Sequence, residues 1–336
     1  NEQLIVSVPG HAAFARFAKL PPVEPKKVPD IVKFEAVQQI PFPIEEVEWD
    51  YQTFSSEDSP EIEVGIFAMT RERVRDRLGL YEELGIAPDR LTLSPVAVFN
   101  AMAYDFQLED RPGAVMFLDI GTQATDVIIS EHGRCWIRTF PLGGTHFTEA
   151  IAKTFKLSYS KAEKLKQEAA TSKYAKQIMQ AMRPVFSDLL QDLQRSIGYY
   201  QSLHQNVDLS VIVGLGSTFK IPGLRKFRGQ QLQVDVRRLD EYRRISVSGR
   251  EAASFAEHAV NFAPAYGLAL QGVGLASIDA NLMPVEALRE QMWHQKTKWF
   301  GAAAAVVILG AGLTLVRPFL ANQALGILAG RGLKGE

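Results

Sequence analysis

One cysteine, Cys135, is all the 336-residue sequence contains, so no intramolecular disulfide can form and a reducing compartment is expected. Within Cys135-Trp136-Ile137 the thiol reads as a small apolar filler. Net charge is just as scarce. Lys and Arg total 37 against 38 Asp and Glu, a formal charge of -1, which excludes a global field steering the chain to nucleic acid. The six histidines include no pair with metal-ligand spacing on one helix, and no Ser-His-Asp set or activated thiol declares itself. No basic-flanked signal segment precedes Leu4-Ile5-Val6-Ser7-Val8, and the first residue is not Met. The sequence therefore reads as a fragment or processed product whose N-terminal domain stays cytoplasmic. Long repeats and low-complexity tracts are absent apart from one alanine run.

What is present is a globular composition, 46% hydrophobic, enough for a large core and more than one compact unit. A strand ends at Val8 before the turn pair Pro9-Gly10, and 15–20 alternates before Pro21-Pro22. Residues 28–39 read as an amphipathic helix with Ile31, Phe34, Glu35 and Gln38 on its stripe. Strands follow at 48–54 and 63–70, then helices at 71–84 and 94–103. A three-strand meander is expected at 115–119, 126–130 and 134–140, with His132-Gly133 as its second turn. Beyond it come a helix from Thr145, a capping-box start at Ser160 and Glu163, and a long helix from Ile178 to Leu203 with Pro184 as a kink. Strands at 209–213 and 232–236 flank Pro222-Gly223-Leu224, and a helix at 264–270 closes the globular part. Arg237, Arg238, Arg243 and Arg244 form a basic cluster, either a solvated face or a contact for anionic headgroups. Residues 299–316 carry no charge between Lys298 and Arg317, and about 1.5 Å of rise per residue makes them just long enough for a transmembrane helix.

The chemistry concentrates in FLDIGTQATDVIIS, 117–130. A strand ends on Asp119, turns at Gly121 among hydroxyls, and resumes after a second carboxylate, Asp126. Burying an unpaired carboxylate is costly, so the turn either closes a plain hairpin or holds a phosphate and its metal. Glycine permits close approach, turn amides and hydroxyls such as Thr122 and Thr125 donate to phosphate, and Asp119 would orient water or Mg²⁺. Gly143-Gly144 before a helix and Gly214-Leu215-Gly216-Ser217 after a strand offer further amides to an anion.

In that order the motifs resemble the actin-like ATPase superfamily, and within it the type IV pilus assembly family PilM, a relative of the division protein FtsA. The resemblance rests on VSVPG at 6–10, IVKFEAVQQIPFPIEEVEWDYQ at 31–52, FLDIGTQATDVII, PLGGTHFTEAI, LQRSIGYYQS at 193–202, VIVGLGSTFKIPGL and PAYGLALQ. It implies an α/β actin-like ATPase fold over 1–275, N-terminally incomplete, with a small inserted FtsA/PilM-type subdomain at about 28–70. It places Asp119, Gly121, Thr122 and Thr125, with Asp126, in the second phosphate loop, Gly143 and Gly144 beside it, and Gly214, Gly216 and Ser217 in the adenosine loop. The family's first phosphate hairpin lies ahead of VSVPG. ATP and Mg²⁺ are the implied ligands, Asp119 acting on the metal indirectly, with little or no turnover expected.

A second resemblance, Ile278-Asp279-Ala280-Asn281-Leu282-Met283-Pro284, is to the N-terminal segment of PilN that docks on PilM. The chain then looks like PilM fused to the start of PilN. Asn281, Leu282, Met283 and Pro284 would dock in cis or in trans, 276–298 would link to a single C-terminal transmembrane helix at 299–316, and 317–336 would be an extracytoplasmic tail. The implied function is a nucleotide-binding, membrane-tethered scaffold of the inner-membrane platform of a type IV pilus or related secretion system. Its expected partners are a PilN-like peptide, other platform proteins and the membrane, with homo-oligomers left open. The alternatives are an actin-like ATPase or phosphotransferase and an FtsA-like filament-forming protein.

Overall fold

The computed structural model describes residues 3–56, 59–204, 207–221 and 234–332. The chain divides into two compact units, Asn1–Met283 and Pro284–Glu336.

The first unit is built on a five-stranded sheet of β6 (Ala114–Ile120), β7 (Thr125–Glu131), β8 (Arg134–Phe140), β9 (Leu209–Leu215) and β10 (Asp235–Arg238), in the order β10-β9-β6-β7-β8. The β6-β7-β8 meander is antiparallel, while β9 runs parallel to both β6 and β10. Nearly every residue of β6 is buried, because a strand covered on both faces loses its polar alternation. α4 (Gly144–Phe155), α5 (Tyr159–Gln167) and the 29-residue α6 (Ala175–Leu203) supply one cover. From them Phe147, Ile151, Ala162, Ile178, Met182, Leu189 and Leu193 join Met116, Leu118 and Ile129 in one core cluster.

A smaller lobe holds β1 (Ile5–Val8) parallel to β5 (Arg90–Leu93), α2 (Arg71–Glu82), α3 (Ser94–Phe106) and α8 (Ala263–Gly272). α3 is largely apolar and buried along most of its length, with Asn100 and Asp105 buried among its apolar residues. α7 (Ala252–His258) precedes α8. A separate antiparallel sheet is made by β2 (Phe14–Leu20), β4 (Ser59–Thr70) and β3 (Val47–Ser56), in the order β2-β4-β3, backed by α1 (Val28–Gln39); it takes in the region expected as an inserted subdomain at about 28–70 and begins earlier, at β2.

Three expectations need correction. α1 has the expected bounds, yet it buries Val28, Val32 and Ala36 and leaves Phe34 63% exposed. Small and β-branched residues at i, i+4 and i+8 lie closer on the sheet than phenylalanine allows, so the neighbouring stripe packs inward. The capping box is not formed either: α5 starts at Tyr159 after Ser158, and Glu163 bonds to Lys166 and Thr148 instead. The third correction concerns the expected transmembrane helix. Residues 299–316 lie inside one 48-residue helix, α9 (Val285–Gly332), and no helix among the described residues is long and apolar enough to cross a membrane. Five alanines and three glycines dilute the uncharged run, and at 18 residues it sits at the short end of what a bilayer core asks for. Pro222 to Leu224 and the expected strand start at Leu232 lie outside the described residues.

Candidate functional site

Antiparallel register sets Asp119 of β6 directly opposite Asp126 of β7, so the two carboxylates share one end of the hairpin. They line a cleft of about 490 Å³ with Ser7, Gly10, Arg77, Gly121, Thr122 and Gln123. Burial pushes Asp119 up to about 7, with repulsion from Asp126 adding to it. Burial likewise pushes Asp126 up to about 6, partly offset by the Thr139 hydroxyl donating to its Oδ1 at 2.5 Å. No cation pairs with either carboxylate among the described residues.

The glycine loops converge on the same turn. The Gly121 carbonyl accepts from the Gly144 N–H at 2.9 Å and the Thr218 hydroxyl at 3.0 Å, and the Thr122 carbonyl accepts from the Thr145 N–H at 2.9 Å. A Cβ on Gly143 would lie 2.6 Å from the Thr122 carbonyl oxygen, so only glycine lets the α4 N-terminus lie this close to the turn. Gly216 has φ of +81°, and a Cβ there would meet Asp119 Oδ1 at 2.5 Å. Ser217 is exposed in a second cavity of about 270 Å³, shared with Glu163, Lys166 and Thr218.

Not every expected residue faces the cleft. The Thr125 hydroxyl is buried on the Leu142 carbonyl at 2.6 Å. Gly214 lies within β9, where a Cβ would overlap the Phe219 ring. Sequence reasoning missed Arg77, Thr139, Thr148, Lys166 and Thr218. Lys166 donates to Glu163 at 2.7 Å, Thr148 at 2.8 Å and the Gly144 carbonyl at 3.0 Å, bracing α5 on the glycine turn. Burial would raise Glu163, but hydrogen bonds from Lys166 and Thr148 outweigh it and hold the carboxyl below its usual range. Nothing local distinguishes Lys166 from Lys161 and Lys164 in the same polar helix, so its burial shows only in the fold.

These shifts set a pH dependence. Asp119 and Asp126 bind protons more tightly folded than unfolded, so their contribution is fully present below about pH 4 and is lost as pH rises through about 6 and 7. Glu163 and Glu63 shift downward and act oppositely, losing stability as pH falls through the acid range. Chemical denaturation without ligand is expected to show greatest stability near about pH 5 and a loss on the order of a few kcal/mol by about pH 8. A flat profile would contradict it.

A second site collects the residues expected to dock. Ile278, Ala280 and Leu282 are buried in alternation, as in an extended segment. The segment lies along the edge of β5: the Leu282 N–H donates to the Leu91 carbonyl at 2.7 Å, and the Leu91 N–H donates to Asn281 Oδ1 at 3.1 Å. Asn100 of α3, fully buried, accepts from the Ile278 N–H and donates to its carbonyl, both at 2.8 Å. Asp50 of the inserted subdomain accepts from the Asn281 N–H at 2.9 Å, Arg90 pairs with Asp279, and Gln271 donates to the Ala280 carbonyl. Burial raises Asp50 from the ordinary carboxylate range, against the backbone hydrogen bonds it accepts. Met283 is also buried, while Pro284 opens the second unit. The basic cluster is taken up locally: Arg237 pairs with Asp235 and Arg238 with Asp240, while Arg243 and Arg244 lie over Phe106 and Tyr104. No group of three or more His, Cys, Asp or Glu among the described residues could hold a metal ion by itself.

A family model described as type IV pilus assembly protein PilM matches residues 2–273. The chain is similar to a solved structure described as a PilM-PilN type IV pilus biogenesis complex, with 28% identity, 81% of each chain covered and a TM-score of 0.69. A weaker likeness is to the ethanolamine utilization protein EutJ from Carboxydothermus hydrogenoformans, with 23% identity over 46% of this chain and 52% of that one, and a TM-score of 0.37.

Proposed function

The chain belongs to the type IV pilus assembly protein PilM family, with its actin-like α/β fold, and from that premise we propose a nucleotide-binding scaffold of the pilus assembly platform that carries its own partner-type peptide. The observation that carries this reading is the seating of 278–283 against β5, α3 and Asp50. The similar structure contains PilM with PilN, and the buried segment has the Asn-Leu-Met-Pro pattern read as PilN-like. The edge of β5 recognises the peptide main chain, and the buried Ile278 and Leu282 side chains select for apolar residues. The proposed place of action is the cytoplasmic side of the inner-membrane platform, where the buried Cys135 stays reduced.

For the nucleotide, the residues fit the group: two adjacent carboxylates pushed toward neutrality, with no cation partner among the described residues, favour an incoming Mg²⁺ that neutralises them. Asp119 and Asp126 would face Mg²⁺, Gly121, Thr122, Gly143 and Gly144 would line the phosphates, and Gly216, Ser217, Thr218 and Lys166 would flank the nucleoside. Mg-ATP supplies charge and a rigid bridge there. The chain's own residues hold the hairpin, the α4 N-terminus and the Gly216 loop in one place, so ligand binding favours the closed arrangement over turnover.

The test is titration of a labelled 276–288 peptide into the full chain and into its Leu282→Asp variant, which frees the groove. The variant is expected to bind the peptide saturably, the parent at least ~10-fold more weakly, and an Asn281→Ala peptide to lose most of the affinity. No binding by a folded Leu282→Asp chain would contradict the reading.

A further inference from the structure

A cavity of about 700 Å³ lies beside the phosphate cleft and shares Gly10 and His11 with its lining. Residues 13–17, at the start of β2, line one side and residues 136–139 of β8 line the other. Both strands are outermost in their sheets: β2 pairs only with β4, and β8 only with β7, among the described residues. Such strands present unpaired backbone donors and acceptors to whatever enters between them. The lining is aromatic, with Phe14, Phe17 and the buried Trp136, and Tyr199 stands 6.1 Å from Trp136 while remaining 51% exposed. Phe42, edge-on to Phe14 at 5.3 Å and itself exposed, extends the apolar surface.

The rim is cationic. Arg16 and Arg138 are exposed, and neither guanidinium has a carboxylate partner among the described residues. Arg16 spends one N–H on the neighbouring Ala15 carbonyl and lies 5.9 Å from the centre of the Phe14 ring. Two exposed edges call for a polypeptide main chain, an aromatic floor calls for an apolar anchor, and unpaired guanidiniums call for carboxylates. We propose that this cavity docks an extended acidic segment of another protein, in which an aromatic or aliphatic pair is flanked by Asp or Glu. Thr139 lines this cavity and also donates its hydroxyl to Asp126 of the phosphate cleft, so the docked segment would sit one side chain from the nucleotide site.

The test uses the full chain and fluorescein-labelled Ser-Asp-Glu-Phe-Val-Asp-Glu-Ser, read by anisotropy. Two control peptides replace the four acidic residues by lysine, or Phe-Val by Ser-Ser. The acidic, anchored peptide is expected to bind saturably, at least ~10-fold tighter than either control, and to weaken as salt rises. Arg16→Gln and Arg138→Gln, both at exposed positions, should each weaken it at least ~3-fold with an unchanged melting temperature, and Arg138→Glu more strongly. Equal binding of the lysine or Ser-Ser peptide would overturn the proposal, as would variants that bind like the parent. Concentration-dependent self-association abolished by Arg138→Glu would also overturn it, because the occupant would then be a second copy of this chain.

Discussion

Asn100→Leu is expected to cost about 2–4 kcal/mol and to lower the melting temperature by roughly 5–10 °C. The side chain is fully buried and makes two 2.8 Å hydrogen bonds to the backbone of Ile278. Leucine fills a similar volume but leaves a buried N–H and a buried carbonyl unpaired, and each such group costs about 1–3 kcal/mol. The loss has a ceiling, since 278–283 can peel away and let water reach the Ile278 backbone. The substitution therefore also predicts easier cleavage by protease around 276–284, while the five-stranded sheet stays folded. An unchanged melting temperature together with unchanged cleavage would show that Asn100 does not hold the segment.

Asp119→Asn should move stability and ligand binding in opposite directions. At about pH 8 the parent holds two ionised carboxylates side by side, one pushed up to about 7 and the other to about 6. The neutral isostere removes that repulsion and the burial cost of one charge. A gain of about 1–3 kcal/mol is expected without ligand, discounted because Asp119 keeps part of its surface open to the cleft. The stability loss between about pH 5 and about pH 8 should shrink with it. Mg-ATP binding, measured by calorimetry, should weaken at least ~10-fold, since the carboxylate that costs the cleft stability at high pH is the one the cation would neutralise. A variant that is no more stable at high pH, or that binds Mg-ATP like the parent, would refute the assignment.

Much of this was legible in sequence where local pattern decides. The short apolar runs of the meander, the His132-Gly133 turn and the glycines before α4 and after β9 all lie where spacing and turn chemistry place them. The helix at 28–39 and the strands at 48–54 and 63–70 likewise follow from local pattern. What failed depends on tertiary choice. Periodicity put Phe34 on the packed stripe of α1, but two adjacent stripes were apolar enough, and the sheet took Val28, Val32 and Ala36. Ser160 and Glu163 have capping-box spacing, yet Lys166 offers the carboxylate a stronger partner. Asn100 reads as an isolated polar residue midway along a largely apolar helix, and nothing local tells that its partner is 178 residues away. The uncharged run at 299–316 invited a bilayer on length alone, and its alanine and glycine content was the signal against it.

Hydrogen–deuterium exchange of the full chain tests most directly whether its own segment fills the groove on β5. Amides of Ile278, Asn281 and Leu282 each donate to a named acceptor, and they should exchange at least ~100-fold more slowly than in the free 276–288 peptide, with Leu282→Asp abolishing that protection. Exchange of these amides at the free-peptide rate in the intact chain would contradict the account.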